Sequence, residues 1–561
     1  MATRSVTAFM RITKAFHTIL FGCLFLHLTG TASAQVKIIP EPVRMEMGEG
    51  HFILAKNASI YFDAKNRALS RQAAYLTNVV ASVSGFRLKN TGNKSQSQIR
   101  LLIGADQLLG DEGYRLRIDA SGITVAANSD KGAFYALQTL FQLMPANRTN
   151  EAIRLPLLNI TDYPRFKWRG MMLDVSRHFF SVEAVKSYID LLAMYKMNVF
   201  HWHLTDSEGW RLEIKKYPKL TGIGAWRKEI PGSVFYKSKQ TLPADTFRYG
   251  GYYTQEQARE VVRYAAAKNV TVVPEIEMPG HSDAALAAYP ELSCTGLQQE
   301  VRSSFGGQPE ALANYCAGKE HSFEFLQQVL KEVMDVFPGQ YIHIGGDEVN
   351  KTGWKKCTNC QRRIRTEGLK DEHGLQSYFI KRIGRFLTAN NRKLLGWDEI
   401  LEGGLAPDAT VMSWRGEEGG IKAAKMHHPV VMAPVKPLYF NRYQADTLAY
   451  QQPLAAKFSI NTLKDVYDYD PVPAELNTTE AAFIIGAQAC IWTEFIGSMK
   501  GVEEMALPRM LALSESLWTP KPLKDWQQFN KKLYFHSKRL GAAGRSVFTA
   551  VPLVYDNLPV K

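Results

Sequence analysis

From Pro164 onward the chain repeats one pattern: an apolar run, a charged or amide-bearing end, then an amphipathic stretch. The apolar runs end at Asp174, Asp206, Glu277, Glu348, Glu399, Arg415, Asn441 and Glu494, eight in all. Eight buried strands alternating with helices predict an α/β fold, a (β/α)8 TIM barrel over residues 164–520. The stretches between them carry helix signals. Thr254-Gln-Glu-Gln257 is a capping box ahead of apolar Ala258, Val261, Val262 and Ala265. Ser181 precedes inward-facing Val182, Val185, Ile189 and Leu192, and Ser322 is read as the opening of a helix with Phe325, Leu326, Val329 and Leu330. In such a barrel, chemistry gathers at the C-terminal ends of the strands. Packing does not require charged strand ends, so a cleft lined by carboxylates and a few cations is predicted there.

The rest of the chain frames this unit. Residues 35–163 read as a small α/β domain, with strands at Ser59–Phe62, Ile99–Gly104, Tyr114–Ile118 and Ile123–Ala127 and helices near Ala68–Val83 and Ala133–Leu143. No polar cluster converges in it, and it is assigned a supporting role. Residues 521–561 form a tail whose amphipathic segment, Trp526–Leu540, is expected to pack on the barrel. Residues 1–34 have the form of a signal peptide: basic Arg4, Arg11 and Lys14, a short apolar core from Ala15 to Leu28, and a small-residue site at Ala32-Ser-Ala34. Leu20-Phe-Gly-Cys23 loosely resembles a lipoprotein cleavage box, with Phe21 a poor fit. The expectation is an exported protein: periplasmic, outer-membrane-associated or secreted. No other apolar run reaches the ~18 residues of a membrane span.

Among 561 residues, 45% are hydrophobic and 22% charged, as in ordinary globular proteins. The leader carries three basic and no acidic residues, so its removal takes the formal charge from +14 to +11. The remaining Lys and Arg are scattered among acids, which disfavours nucleic acid as a partner. Five cysteines follow the leader: Cys294, Cys316, Cys357, Cys360 and Cys490. In an exported chain Cys294–Cys316 and Cys357–Cys360 are expected as disulfides, and Cys490 as a buried thiol. A single CxxC with no second one to pair with is not read as a zinc site, and neither metal nor cofactor is expected.

The strand ends supply two kinds of group. The polar set is Arg169, Asp174, Arg177, Asp206, His281, Asp347, Glu348, Asp398, Glu399, Asn441 and Glu494; the aromatic set is Trp202, Trp210, Trp397, Trp414, Tyr439 and Trp492. Carboxylates that accept hydroxyl hydrogen bonds, beside indole faces that stack on C–H surfaces, suit a sugar ring. The centre is Tyr341-Ile-His-Ile-Gly-Gly-Asp-Glu-Val-Asn350, an apolar run, two glycines and an adjacent acid pair. Ordinary retaining glycosidases hold two carboxyls ~5 Å apart across the ring. Successive strand residues point to opposite faces, so Asp347 and Glu348 reach one site only if the chain turns. The pair then suits a division of labour, with Glu348 as proton donor, its pKa raised by an ionised Asp347, and Asp347 in another role. Two rival readings exist. One is a metal-dependent amidohydrolase built on His201, His203, His281 and His343, although the paired histidines fall on the second strand and no strand-end Lys offers a bridging ligand. The other is a non-catalytic glycan-binding protein, which the presence of both Asp347 and Glu348 argues against.

Six motifs in order resemble those of the family-20 glycoside hydrolases, the β-N-acetylhexosaminidases. They are Arg169-Gly-Met-Met-Leu-Asp-Val-Ser-Arg-His178, His201-Trp-His-Leu-Thr-Asp206, Glu277-Met-Pro-Gly-His281, His343-Ile-Gly-Gly-Asp-Glu348, Gly396-Trp-Asp-Glu399 and Trp492-Thr-Glu494. The resemblance covers nearly the whole chain after the leader. It implies an oligosaccharide or glycoconjugate substrate with a terminal N-acetylhexosamine, cleaved with retention by substrate assistance. Glu348 would be the general acid/base, while Asp347 would orient the 2-acetamido group whose carbonyl oxygen attacks the anomeric carbon. The resemblance further implies that Tyr439 hydrogen-bonds that oxygen, that Trp397, Trp414 and Trp492 wall the acetamido pocket, and that Arg169 and Glu494 hold the sugar hydroxyls. Asp206 and His281 would support the acid pair. This family is an exception to the two-carboxylate scheme, in keeping with the adjacency of the pair. One position departs: Tyr439-Phe-Asn441 stands where many members carry Tyr-Leu-Asp. An amide donates as well as accepts, so Asn441 alters how a C4 or C6 hydroxyl is read, and with it the gluco or galacto preference.

Overall fold

The computed structural model describes residues 36–229, 247–303, 314–446 and 452–549; the expected leader and Cys23 lie outside them. Its centre is a closed barrel of eight strands in sequential order, every neighbouring pair parallel. The strands are β1 (Trp168–Asp174), β2 (Val199–His203), β3 (Thr271–Glu275), β4 (Tyr341–His343), β5 (Lys393–Trp397), β6 (Thr410–Ser413), β7 (Val430–Met432) and β8 (Ile484–Ile491). The interior is filled by Trp168, Met172, Val199, Val273, Leu395, Met412, Val431 and Cys490, all buried. It is a packed core rather than a channel.

Helices clothe the barrel as the sequence signals require. Ser181 caps Val182–Met194, and Thr254 with Gln257 forms both halves of the capping box on Gln255–Ala266. The helix assigned to start at Ser322 runs Glu320–Val336. Ser322 lies inside it, buried, and hydrogen-bonds Leu292 O at 3.3 Å. The strands also stop earlier than their polar ends suggested. β7 finishes at Met432, and Asn441 follows a cap region after the short helix Val435–Leu438.

The preceding domain is a seven-stranded mixed sheet carrying helices Arg67–Ser84 and Asp130–Leu143. The predicted hairpin is present as Tyr114–Asp119 paired with Gly122–Ala127. Two long strands without a clear signal, Arg44–Leu54 and Ile153–Asp162, complete the sheet at its edge. The first is exposed along most of its length, so it lacks an alternating pattern, and the second contains Pro156, which ordinarily argues against a sheet interior.

The domain is fastened to the barrel by buried charges. Lys196, after the first barrel helix, pairs with Asp162 at 2.8 Å, and Asp162 also accepts from Tyr114 and Trp518. The tail helix Trp526–Ala542 closes the joint. His536 bonds Tyr195 Oη and Lys37 O, while Arg539 donates to carbonyls at the end of Asp130–Leu143. Among the described residues no helix is long and apolar enough to cross a membrane.

Candidate active site

The acid pair owes its geometry to the two glycines before it. Gly345 and Gly346 take φ of 69° and 93°, and a Cβ on Gly345 would stand 1.8 Å from Glu277 Oε2. Only glycine fits there. Glu348 itself adopts φ 47° and His281 φ 50°, left-handed conformations that cost non-glycine residues about 1–3 kcal/mol each. The turn brings both carboxylates to one imidazole: His281 Nε2 is 3.4 Å from Asp347 Oδ2 and 3.5 Å from Glu348 Oε2. They therefore approach the site from neighbouring directions. Asp347 is buried with Oδ1 unpartnered, whereas the Glu348 side chain is 61% exposed.

Behind His281 runs a line of buried polar contacts. Its Nδ1 meets Asp206 Oδ1 at 3.1 Å, and Asp206 Oδ2 meets His203 Nε2 at 3.0 Å. His203 Nδ1 in turn contacts Glu275, on which His201, His343 and the Trp397 indole also converge at 2.8–3.0 Å. Despite burial, three histidines hold the Glu275 carboxyl well below its usual range, and Glu275 raises His203 to about 10. Burial lowers His201 to about 4. Three of the four histidines that suggested a metal site, His201, His203 and His343, thus surround a carboxylate in the barrel core, and the fourth, His281, faces the acid pair. Against the same burial penalty, Asp206 and Asp347 raise His281 well above an ordinary imidazole.

A cavity of about 300 Å³ opens at the C-terminal end of the barrel above this line. Asp347, Glu348 and His281 form one side, and Trp414, Tyr439 and Trp492 another. Trp414 and Tyr439 stack with ring centroids 6.1 Å apart, and the Trp414 indole is fixed by Glu399 at 2.8 Å. Arg177, Glu494 and Asn441 line the remainder, together with Glu208, Arg302 and Arg442. Arg177 is clamped by Asp174, Asp206 and Glu208 at 2.8–3.2 Å. Glu494 Oε2 and Asn441 Oδ1 are buried without a partner.

Burial sets the protonation of the acids. It pushes Asp347 up to about 6, Glu494 to about 7 and Glu399 to about 8. It also raises Glu277, which lies beneath Gly345 with both oxygens unpartnered, well above normal. Glu348 goes the other way, lowered by its hydrogen bond to His281. The expectation that Asp347 raises Glu348 is thus reversed without ligand, because the exposed acid takes the imidazolium and the buried one takes the desolvation.

Five further residues fall outside the cavity lining. Arg169 is at the wrong end of the barrel. It is the second residue of β1, fully buried, and its guanidinium pairs with Glu112 of the preceding domain at 2.8 Å and with Phe166 O and Lys196 O. The arginine of this motif that lines the cavity is Arg177, eight residues later. Trp397 is one layer below the cavity wall, 1% exposed, its ring 5.9 Å from Trp492. Trp202 and Trp210 are buried side chains of the scaffold, and Asp398 is occupied by Arg415 and two backbone N–H groups.

A catalytic-domain model of glycosyl hydrolase family 20 matches residues 166–521, and the family's domain 2 matches 35–163. The chain belongs to glycosyl hydrolase family 20. A β-hexosaminidase of Porphyromonas gingivalis is 43% identical over 525 residues, 92% of this chain and 65% of that protein, so the chain spans just under two thirds of that relative. Among solved family-20 structures, the exo-β-N-acetylglucosaminidase of Vibrio harveyi in complex with N-acetylglucosamine gives a TM-score of 0.79 at 30% identity. That match covers 92% of this chain and 79% of the other. The β-N-acetylhexosaminidase of Bacteroides fragilis gives 0.76 at 32% identity, covering 91% and 96%.

The family-20 site contains groups that strand-end reading passed over. Glu208 and Arg302 enter the cavity from loops, on elements with no periodic signal. Glu277 enters the sequence reading as a strand terminus and as the first residue of Glu277-Met-Pro-Gly-His281, with no role of its own, whereas its carboxylate is buried beside His203 and Glu275.

Proposed function

We propose that the protein is an exo-acting β-N-acetylhexosaminidase that removes terminal N-acetylglucosamine, and N-acetylgalactosamine to a lesser or greater degree set by Asn441. The reaction is retaining and substrate-assisted. The observation that carries this reading is the shared approach of Asp347 and Glu348 to His281. Two carboxylates on one nitrogen lie side by side, which is poor geometry for attack by one and protonation by the other across a ring.

Each has a task that fits its surroundings. Asp347 Oδ1, buried and unpartnered, is suited to accept the acetamido N–H and so hold the carbonyl oxygen against the anomeric carbon. The Tyr439 hydroxyl is suited to hydrogen-bond that oxygen beside the Trp414 and Trp492 rings. Glu348, at the mouth, protonates the leaving oxygen, then takes a proton from the water that opens the oxazolinium intermediate. A bound sugar dehydrates Glu348 and shifts its pKa upward, with His281 as the neighbouring proton holder. Arg177 and Glu494 take the hydroxyl-holding role. A cavity of about 300 Å³ is at the small end for ligand sites, which supports capture of one terminal residue. The leader-like residues 1–34 support export.

The test compares paired aryl β-glycosides of N-acetylglucosamine and N-acetylgalactosamine, with the plain glucoside as control. Turnover of the first two and not the third is expected. Glu348→Gln should lose about 10²–10⁴-fold on substrates with poor leaving groups and much less on activated ones, whereas Asp347→Asn should slow both. Equal losses in both variants on both substrate types, or indifference to a thiazoline mimic of the bicyclic intermediate, would overturn the assignment.

A further inference from the structure

Four cysteines expected as two local disulfides converge instead on one point. The described cysteines are free thiols, and the sulfurs of Cys294, Cys316, Cys357 and Cys360 all lie within 4.8 Å of one another. The nearest separations are 3.6 Å for Cys316–Cys360 and 3.7 Å for both Cys294–Cys360 and Cys316–Cys357. Cys316 and Cys360 each have two near neighbours, so the set does not resolve into two pairs. Zinc at about 2.3 Å from each of four thiolates requires sulfurs about 3.8 Å apart at the corners of a tetrahedron. The spacing matches that figure. It is too close for an iron–sulfur cluster, which spreads its four thiolates over two or four irons.

The surroundings favour thiolates. Cys357 is the N-cap of helix Thr358–Thr366 and Cys360 lies in its first turn, where the helix dipole stabilises negative charge. The Gly318 N–H hydrogen-bonds the Cys316 sulfur. Gly318 also lets its turn approach that helix, since a Cβ there would stand 2.2–2.3 Å from Asn359 C and Cys360 N. Cys316 and Cys360 are fully buried, Cys357 nearly so, and Cys294 partly exposed, which leaves an entry side. Lys355, Lys356, Arg362 and Arg363 flank the CxxC in sequence, a counterweight to the net charge of a zinc tetrathiolate.

We propose that Cys294, Cys316, Cys357 and Cys360 bind one structural zinc ion that fastens the loop bearing His281 to the loop bearing Asp347 and Glu348. Cys294 and Cys316 follow β3, and Cys357 and Cys360 follow β4. The same two loops are joined by Trp354 Nε1 to Tyr315 O at 3.0 Å, and Tyr315 N donates to Pro279 O, two residues before His281. Binding releases the four thiol protons to solvent, and the metal takes no part in glycoside chemistry.

The test is metal analysis of the full chain, purified without chelator from the compartment to which it is exported. One zinc per chain is expected, released by a mercurial that titrates thiols. Cys294→Ser should lower zinc retained against a competing chelator at least tenfold and lower the melting temperature. Cys294→His, which restores a zinc ligand, should recover both. A metal-free chain whose denatured mass shows two disulfides would overturn the proposal, as would a metal-free chain with all four thiols reactive. Stoichiometric iron in place of zinc would overturn the metal assignment.

Discussion

The two ends of the barrel differ in how completely they pair their buried polar groups. At the N-terminal end Arg169 meets Glu112, and Lys196 meets Asp162, with further hydrogen bonds to backbone and phenol oxygens. At the C-terminal end Glu494 Oε2, Asp347 Oδ1, Asn441 Oδ1 and both oxygens of Glu277 are buried without partners. Satisfied charges fasten one domain to another. Unsatisfied oxygens gathered beside a cavity leave their hydrogen bonds to be completed by water or by a ligand. The two arginines of one motif are both paired, Arg169 with Glu112 across the joint and Arg177 with Asp174, Asp206 and Glu208 at the cavity, so the contrast lies in the carboxylates and amides rather than in the cations.

Replacing a member of each set should separate the two roles. Arg169→Met leaves Glu112 and the carbonyls of Phe166 and Lys196 without their donor, and a broken buried pair costs about 3–5 kcal/mol. A clearly lower melting temperature is expected, with kcat/KM per folded molecule within about twofold of the parent. Glu494→Gln should do the reverse. It removes an acid already pushed to about 7 by burial, so thermal stability near neutrality should hold or rise. Losing a charged hydrogen bond to substrate costs about 1.5–3 kcal/mol, or about 10–100-fold in kcat/KM. A Glu494→Gln variant that melts early yet turns over normally would erase the distinction.

The barrel was legible because its strands are mostly apolar runs, and eight such runs in alternation admit few architectures. What sequence did not disclose was which partner a polar residue at either end of a run meets. Arg169 and Arg177 flank the same apolar stretch, and chain order alone puts the first at the start of β1 and the second beyond its end; what needs the structure is that Arg169 is taken up by Glu112 of the preceding domain. Register decided Trp397 in the same way, since its indole turns inward to Glu275. The acid pair lies side by side at the cavity, and its electrostatics depend on His281, whose reach to both carboxylates follows from two left-handed backbone positions that composition does not signal. The cysteines were read by spacing along the chain. Their meeting depends on β3 and β4 being adjacent in the barrel, a tertiary fact.

Asp347 makes the comparison depend on pH. Its folded pKa of about 6 exceeds the unfolded value of about 3.9. Between these values the folded chain keeps a proton that the unfolded chain has lost, so stability falls as pH rises through the window. Asp347→Asn removes that dependence and should be more stable than the parent at pH 7.5, by about 1–3 kcal/mol, with the advantage gone near pH 4. The parent's kcat/KM should fall below about pH 6 as Asp347 takes up its proton. Melting curves of both proteins across this range, beside the pH–rate profile, test the two together; parallel curves would show that Asp347 is not the group being desolvated.

The smallest effect is expected at Asn441, where the unpartnered atom is a neutral oxygen rather than a carboxylate. Its amide reads a sugar hydroxyl as donor or acceptor, whereas an aspartate in the same place only accepts. Asn441→Asp should shift the ratio of kcat/KM for the gluco and galacto aryl substrates by about 3–10-fold, the worth of about one neutral hydrogen bond, with little change in melting temperature. A change confined to kcat and equal for both epimers would mean that Asn441 shapes the cavity wall without reading the C4 or C6 hydroxyl. The orphaned atoms at this end of the barrel would then divide into those that hold substrate and those that only bound the space it fills.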